Sequence, residues 1–116
     1  MALGFLSEVV IDCHDPDRLA VFWQAMVGGD IVDQDGEWVA IVPERGVIIG
    51  LQRVPEAKAV KNRVHLDVQV DDLEVAAAAA EHLGATRPGG LHADPLGRFI
   101  VMLDPEGNEF CFVTDP

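Results

Sequence analysis

The sequence repeats one pattern twice, and this internal duplication restricts the fold more than any other feature. In each half, an alternating strand is followed by a helix and then by three short β-rich runs. The matching positions, at one common offset, are Ile11-Asp12 with Leu66-Asp67 and Gly29 with Gly84. Self-similarity of this kind indicates a repeated supersecondary unit. We therefore predict an α+β chain built from two tandem βαβββ modules.

The first module is predicted at about residues 5–54. Its first strand, Phe5–Cys13, alternates between apolar and polar residues. A helix should begin at Pro16, because Asp15 can accept a hydrogen bond from the first-turn amides, and should end at Gly28-Gly29. Turn residues separate the other predicted strands, which are Ile31–Gln34, Glu37–Pro43 and Gly46–Arg53.

The second module is predicted at about residues 63–115, after a connector at 55–62 that holds or adjoins half of the basic residues. Its first strand is Val64–Val70, and Asp71 with Glu74 is typical of a capping box for a helix that ends at Gly84. Loops are expected at Pro88-Gly89-Gly90 and at His92–Pro95. The remaining predicted strands are Ala85–Arg87, Arg98–Leu103 and Glu109–Thr114.

Length and charge exclude several classes of protein. With 116 residues the chain should form one domain, spanning 1–116, and it has no apolar run long enough to cross a membrane. Its 20 acidic and 8 basic residues give a net charge of −12, which disfavours nucleic acid as a partner. The same charge favours a cationic small molecule, although surplus carboxylates also serve solubility alone.

The N-terminus and the cysteines predict a cytoplasmic protein. Residues 1–5 lack the basic segment and apolar stretch that direct export. Cys13 and Cys111 are too few for a disulfide framework, so both should be reduced. Cys13 is expected in the core and Cys111 in a cleft.

The first strand of each module carries polar residues on one face, and the apolar face should pack against the helix. The polar positions are Glu8, Asp12, His65, Asp67 and Gln69. In the last strand, Phe110 and Phe112 should face the helix, which leaves Glu109 and Cys111 on the polar face. Such a face is typical either of a solvated sheet or of a binding cleft.

The spacing His65-x-Asp67 places an imidazole and a carboxylate side by side on one strand. This pair suits a divalent metal ion or general acid–base chemistry. A histidine on a strand is also often a hydrogen-bonded structural residue. The pair therefore indicates a candidate site without deciding between these roles.

These features resemble the glyoxalase, bleomycin-resistance and extradiol-dioxygenase superfamily, also called vicinal oxygen chelate proteins, and especially its small bacterial glyoxalase-like members. The resemblance covers nearly the whole chain. It depends on the two modules and on these segments: Asp15-Pro16 with Phe22-Trp23 and Gly28-Gly29, Lys61–Asp67, and Asp104–Phe110. It implies an incomplete barrel around a small-molecule cleft, and a homodimer.

The resemblance also implies metal ligands. His65 falls on the histidine position at the start of the second module, and Glu8 falls on the corresponding position of the first. The last-strand position, commonly a glutamate, is Cys111, and Glu109 lies two residues earlier on the same face. The implied cofactor is one divalent metal ion, Zn, Ni, Mn or Fe, held by Glu8, His65 and either Glu109 or Cys111.

Three functions follow from these expectations. The first is a metal-dependent lyase, isomerase or dioxygenase in which Asp67 moves a proton. The second is a non-catalytic binding protein of the bleomycin-resistance type that sequesters a cationic ligand. The third is a regulatory module without a ligand. The further residues expected to bind the ligand are Asp12, Trp38, Gln52 and Arg98.

Overall fold

The computed structural model describes residues 1–33 and 35–116. It divides into two compact units, Met1–Ala57 and Lys58–Pro116. Each unit contains one helix and one four-stranded sheet. The boundary between the units falls in the predicted connector, and the two predicted βαβββ modules are confirmed.

The first unit forms a sheet with the strand order β1-β4-β3-β2. Strands β1 and β4 are parallel, whereas β3 pairs antiparallel with both β4 and β2. Its elements are β1 (Glu8–Cys13), α1 (Pro16–Val27), β2 (Asp30–Asp33), β3 (Trp38–Val42) and β4 (Ile48–Arg53). Strand β1 begins at Glu8 and not at the predicted Phe5, which is 90% exposed. Gln34, the predicted end of the second strand, lies outside the described residues.

The second unit repeats this topology with the strand order β5-β8-β7-β6. Strands β5 and β8 are parallel, and the other neighbours are antiparallel. Its elements are β5 (Leu66–Gln69), α2 (Leu73–His82), β6 (Leu91–Asp94), β7 (Gly97–Leu103) and β8 (Glu109–Thr114). In both units the parallel pair joins the first strand of the module to its last.

Helix α1 begins and ends where its sequence predicts. The Asp15 side chain accepts a hydrogen bond from the Arg18 amide, and Pro16 is the first helical residue. Gly28 ends the helix with a φ of 76°. The apolar side of α1 then packs on the sheet, with Leu19 and Trp23 each 1% exposed.

Helix α2 is capped one residue later than predicted. The Asp72 side chain, and not that of Asp71, accepts a hydrogen bond from the Val75 amide. Two consecutive aspartates allow either register, and the buried Leu73 fixes the one that is used. Gly84 follows the helix with a φ of 109°, as the predicted helix end requires.

The second strand of the second module was predicted in the wrong place. Ala85–Arg87 contributes only one isolated bridge, between Thr86 and Leu103. The strand β6 instead occupies Leu91–Asp94, most of the segment predicted as a loop. Its pairing with β7 supplies the hydrogen bonds that a short exposed strand lacks by itself.

Each core lies between one helix and one face of its own sheet. In the first unit the sheet contributes Val39, Ile41 and Leu51, all 0% exposed. In the second unit Ile100 and Met102 are 0% exposed, and Phe110 packs edge-to-face against Phe112.

The longest helix in the described part of the chain is α1, with 12 residues. Among residues 1–33 and 35–116, the helices are too short or too polar to cross a membrane.

Candidate functional site

The outer face of the second sheet, the face turned away from α2, carries the polar residues of β5 and β8. Asp67 and Cys111 are register partners on these parallel strands, and Val101 pairs with Cys111 from β7. Because strand side chains alternate, the buried Phe110 and Phe112 point to the opposite, helix-packed face. The predicted face assignment of the last strand is confirmed.

His65, Asp67 and Cys111 form a compact cluster on this outer face. One imidazole nitrogen, one carboxylate oxygen and the thiol sulfur all lie within 4.8 Å of one another. His65 Nδ1 and Asp67 Oδ1 are 3.1 Å apart and share a hydrogen bond. Cys111 is 6% exposed, whereas the side chains of His65 and Asp67 are 48% and 53% exposed. The cluster therefore combines a buried sulfur with two accessible donors.

The surroundings of Cys111 keep its thiol protonated. Burial raises its pKa above the ordinary value of 9.0, and the negative charge of Asp67 raises it further. The positive charge of Lys61 opposes both effects in part. A cation that replaces the proton would relieve the repulsion between a thiolate and Asp67.

Glu109 lies on the same face but is held by the chain that precedes β5. Its Oε1 atom is 3.0 Å from Lys58 Nζ, and its Oε2 atom accepts a hydrogen bond of 2.8 Å from the Asn62 amide. Burial raises the pKa of Glu109, but the hydrogen bonds from Asn62 and Lys58 outweigh burial and lower it overall. The carboxylate is thus ionised and has two partners.

Glu8, the ligand predicted in the first module, lies in the first unit against Gly50 and Trp38. A Cβ atom at Gly50 would lie 2.2 Å from Glu8 Oε2 and 3.1 Å from Trp38 Cζ2. The absence of a side chain at Gly50 therefore makes room for the carboxylate. Glu8 Oε2 is buried and has no hydrogen-bond partner among residues 1–33 and 35–116, an uncommon state for a polar atom.

Three of the predicted ligand-binding residues share one row across the first sheet. Gln52 on β4 pairs with Asp12 on β1 and with Trp38 on β3. Their side chains lie on the face that also carries Glu8. Arg98, the fourth, alternates with Phe99 on β7 and falls on the face opposite Cys111.

Residues 8–113 match the family model described as a glyoxalase-like domain. The chain belongs to the glyoxalase-like domain family. The match covers both modules, including every candidate site residue, and it confirms the family expected from the sequence. None of the curated proteins is significantly similar in sequence to this chain.

Solved structures similar to this glyoxalase-like chain share its fold at low sequence identity. A glyoxalase/bleomycin resistance protein/dioxygenase family enzyme from Burkholderia phytofirmans superposes with a TM-score of 0.82 and 20% identity over 97% of this chain and 100% of its own. A glyoxalase-related enzyme from Fulvimarina pelagi superposes with a TM-score of 0.77 and 16% sequence identity. The superposition covers 98% of this chain and 90% of that enzyme.

A third similar structure contains a metal ion. It is the fosfomycin resistance protein FosX from Listeria monocytogenes, solved as a mutant with Mn(II) and a dihydroxypropylphosphonic acid. Its TM-score is 0.78 and its identity 14%, over 97% of this chain and 90% of its own. These likenesses show that the chain has the glyoxalase-like fold.

The donor chemistry of the His65–Asp67–Cys111 cluster fits a divalent metal ion. Nitrogen, oxygen and sulfur donors together suit borderline ions such as Zn, Ni and Fe better than Mn, which prefers oxygen. The distance of 3.1 Å between His65 Nδ1 and Asp67 Oδ1 is close to the separation of about 3.3 Å expected for two ligands of one tetrahedral zinc ion. Three protein ligands also leave one position open.

Two residues near this cluster had no specific role in the sequence interpretation. Lys58 and Asn62 come from the connector and bind Glu109, which lies more than 40 residues further along the chain. The sequence signal for these contacts was the accumulation of basic residues in the connector. A basic segment in an acidic chain is expected to lie beside carboxylates.

Proposed function

We propose that this protein binds one divalent metal ion at His65, Asp67 and Cys111, and uses it to act on a small molecule that carries two neighbouring oxygen atoms. The observation that carries the proposal is the convergence of three different donor atoms within 4.8 Å on one accessible face. The reaction class that we propose is that of a lyase, an isomerase or a dioxygenase. Zn, Ni and Fe fit this donor set best.

His65 and Asp67 act together in this proposal. Before a metal ion binds, the hydrogen bond between Nδ1 and Oδ1 holds the imidazole and the carboxylate side by side, and a bound metal ion would take the place of the shared proton. Oδ1 faces His65, which leaves Oδ2 of the half-exposed carboxylate to take a proton from the substrate. When bound, the metal ion supplies Lewis acidity toward the substrate oxygens.

Cys111 supplies the buried part of the site. With 6% exposure, its sulfur is screened from solvent oxidants and from competing water, whereas its neighbours remain open to a ligand. Glu8 and Glu109 remain predicted ligands. Glu109 would have to exchange Lys58 or Asn62 for a metal ion, so we favour Asp67 as the third ligand.

The relatives support a function of this general class. The fosfomycin resistance protein was solved with Mn(II) and a dihydroxy compound, which pairs a metal ion with a small oxygen-rich molecule. The names of the two other similar structures describe enzymes. These observations support the proposed reaction class.

The metal content of the protein, purified without an affinity tag, tests the proposal. We expect near-stoichiometric Zn, Ni or Fe, and a thermal stabilisation of the metal-stripped protein when one of these ions is restored, because a ligand of the folded state stabilises it by about 2.7 kcal/mol at about 100 times its Kd. His65→Ala should weaken metal binding by more than about 100-fold.

His82→Ala is the matched control, because His82 is an exposed histidine at the end of α2, outside the cluster. Equal metal binding by the wild type and His65→Ala would contradict the proposal. Equal losses in the two histidine variants would point to non-specific surface binding and would contradict it as well.

A second candidate function is favoured by Glu8. We propose as the alternative that the first module binds a cationic ligand, with the carboxylate of Glu8 and the ring of Trp38 as its partners and with Asp12 and Gln52 in the adjacent row. In the described part of the chain no group donates a hydrogen bond to Glu8 Oε2, and an ammonium or guanidinium group would supply one. The net charge of −12 favours such a ligand.

Calorimetric titration with bleomycin separates the two candidates. Binding that is lost in Glu8→Gln and kept in His65→Ala would favour sequestration by the first module. Asp30→Asn is the matched control, because Asp30 is an exposed carboxylate on β2 of the same sheet. Failure of bleomycin to bind the wild type would eliminate this alternative for that ligand.

We further propose that the protein is a cytoplasmic homodimer. Cys13 and Cys111 both carry thiols and no disulfide, as expected in a reducing compartment. The family resemblance supports the dimer. Light scattering at micromolar concentration should give twice the chain mass of 12.5 kDa, and a monomer would contradict the dimer.

A further inference from the structure

His92 and Phe99 stack on each other at the β6 edge of the second sheet. Their ring centroids are 5.0 Å apart and the ring planes are inclined by 22°. The two residues are register partners on β6 and β7, so both side chains stand on the same face. His92 is exposed and Phe99 is half-buried.

The stack shares its face with the His65–Asp67–Cys111 cluster. Phe99 pairs with Val113 on β8, which lies two residues from Cys111 on the same face. The strand spacing and the rise per residue place the Cα atoms of Phe99 and Cys111 about 8 Å apart. A molecule with one ring can span that distance.

The ring of Phe99 is stacked on its β6 side and is still partly exposed to solvent. His92, its register partner on β6, contacts the ring, and Phe99 is only half-buried. The neighbouring side chains on the same sheet face are Val101 and Val113, both half-buried and apolar. An aromatic group placed there would contact the ring of Phe99 and lie over the valines.

We propose that Phe99, supported by His92, is a subsite for an aromatic ring of the ligand held at the cluster. The inference rests on the proposed metal-dependent function and narrows its substrate class to small molecules in which an aromatic ring lies next to the chelating oxygens. The ring stacks on Phe99 and the oxygens face His65, Asp67 and Cys111. His92 is a positioning residue, because it contacts Phe99 and not the ligand.

Three hydroxamic acids with the same chelating group test this inference on the metal-loaded protein. They are acetohydroxamic acid, cyclohexanecarbohydroxamic acid and benzohydroxamic acid, which add no ring, an aliphatic ring and an aromatic ring. We expect benzohydroxamic acid to bind about three- to tenfold more tightly than the cyclohexyl compound, the range of an aromatic contact. Phe99→Leu, which keeps apolar volume without a ring, should abolish that difference and leave acetohydroxamic acid unaffected.

Leu96→Ala is the matched control, because Leu96 is 88% exposed in the turn between β6 and β7. It should preserve the preference for the aromatic compound. An aromatic preference that survives in Phe99→Leu would overturn the inference. Equal affinities of the cyclohexyl and benzo compounds for the wild type would also overturn it, since the subsite would then be merely apolar.

Failure of the proposed function gives a different result. If acetohydroxamic acid does not bind because the protein holds no metal, the same compounds are titrated onto the metal-free protein and the ring signals of His92 and Phe99 are followed by NMR. Shifts of these ring signals with benzohydroxamic acid, and not with the other two compounds, would still support the aromatic subsite. Unchanged ring signals with benzohydroxamic acid would overturn the inference.

Discussion

Asp67 on β5 and Cys111 on β8 are direct register partners, and their side chains lie on the same face of the second sheet. Parallel pairing of the first and last strands of the module therefore brings together a carboxylate and a thiol that lie far apart in the sequence. The carboxylate is 53% exposed and the thiol residue 6% exposed. A ligand of this cluster would therefore approach from the side of Asp67, with Cys111 protected beneath it.

Cobalt(II) substitution should report directly on Cys111. Binding of Co(II) to the metal-stripped protein should give the near-ultraviolet absorption of a cobalt–thiolate bond, because the sulfur lies within 4.8 Å of the other donors. The band should disappear in Cys111→Ala. It should remain in Cys13→Ala, because the Cys13 thiol of the wild type lies in the other unit, where it contacts the Gln52 carbonyl. A wild-type complex without this band would show that sulfur is not a ligand.

The affinity for the metal ion should rise with pH. Burial, followed by the charge of Asp67, raises the pKa of Cys111 above 9.0, so the thiol is protonated near neutral pH and must release its proton to bind a metal ion. Below that pKa the apparent affinity should increase about tenfold per pH unit for each proton released. Competition with a chromophoric chelator measures it. In Cys111→Ala the metal affinity should rise less steeply with pH, because the proton of the thiol is no longer released. An equal dependence of affinity on pH in the variant and the wild type would contradict the assignment of Cys111 as a ligand.

The contact of Glu109 with Lys58 and Asn62 should make the second unit sensitive to acid. The pKa of Glu109 is lower in the folded protein than its ordinary value of 4.5, so its contribution to stability is present above that value and is lost as the pH falls through the folded pKa. We expect a loss of about 1 kcal/mol on protonation, since a hydrogen bond to a charged group is involved.

Urea unfolding at neutral pH and at successively lower pH measures the contribution of ionised Glu109 to the free energy of unfolding. Glu109→Gln should be less stable than the wild type at neutral pH and should lose less stability in acid. Glu81→Gln, which alters an exposed carboxylate on α2, should keep the acid dependence of the wild type. Parallel curves for the wild type and Glu109→Gln would contradict the prediction.

The fold was predictable from the sequence because its main signals are local. Alternation in β1 and β5, the Asp15-Pro16 cap and the glycines after the helices each act within a few residues. Strand β6 was missed because Leu91–Asp94 is short and exposed, so pairing with β7 and not its own pattern makes it a strand.

For the candidate site, the sequence predicts on which face of the sheet each side chain lies, but not which side chains are neighbours. Alternation puts Asp67 and Cys111 on the outer face, but their register depends on how β5 pairs with β8. The partners of Glu109 were not predictable, because Lys58 and Asn62 lie in an irregular segment whose path no periodicity fixes. The stack of His92 on Phe99 was hidden for the same reason that β6 was missed.

Alanine substitutions at the two glycines after α1 should lower the free energy of unfolding by unequal amounts. Gly28 and Gly29 both have positive φ, at 76° and 87°. A Cβ atom at Gly28 meets no atom of the described residues within 4 Å, whereas one at Gly29 would lie 2.1 Å from the Val42 carbonyl oxygen. Gly28→Ala should cost about 1 kcal/mol of unfolding free energy, and Gly29→Ala more than about 3 kcal/mol, because backbone atoms must move. Equal losses in urea unfolding would contradict this assignment.

Gly50 and Glu8 should be energetically coupled. A Cβ atom in Gly50→Ala would lie 2.2 Å from Glu8 Oε2, and the carboxylate, as the far end of a flexible side chain, should move away. In Glu8→Ala these carboxylate contacts are gone, and the nearest described atom that is left is Trp38 Cζ2, at 3.1 Å. The cost of Gly50→Ala should therefore be smaller in the Glu8→Ala background by about 0.5 kcal/mol or more.

A double-mutant cycle measured by urea unfolding tests this coupling. Gly46→Ala serves as the matched control, because a Cβ atom at Gly46 meets no atom of the described residues within 4 Å. Its cost should be independent of Glu8. Additivity of Gly50→Ala and Glu8→Ala would mean that Glu8 does not occupy the space above Gly50, and the candidate cation site of the first module would lose its basis.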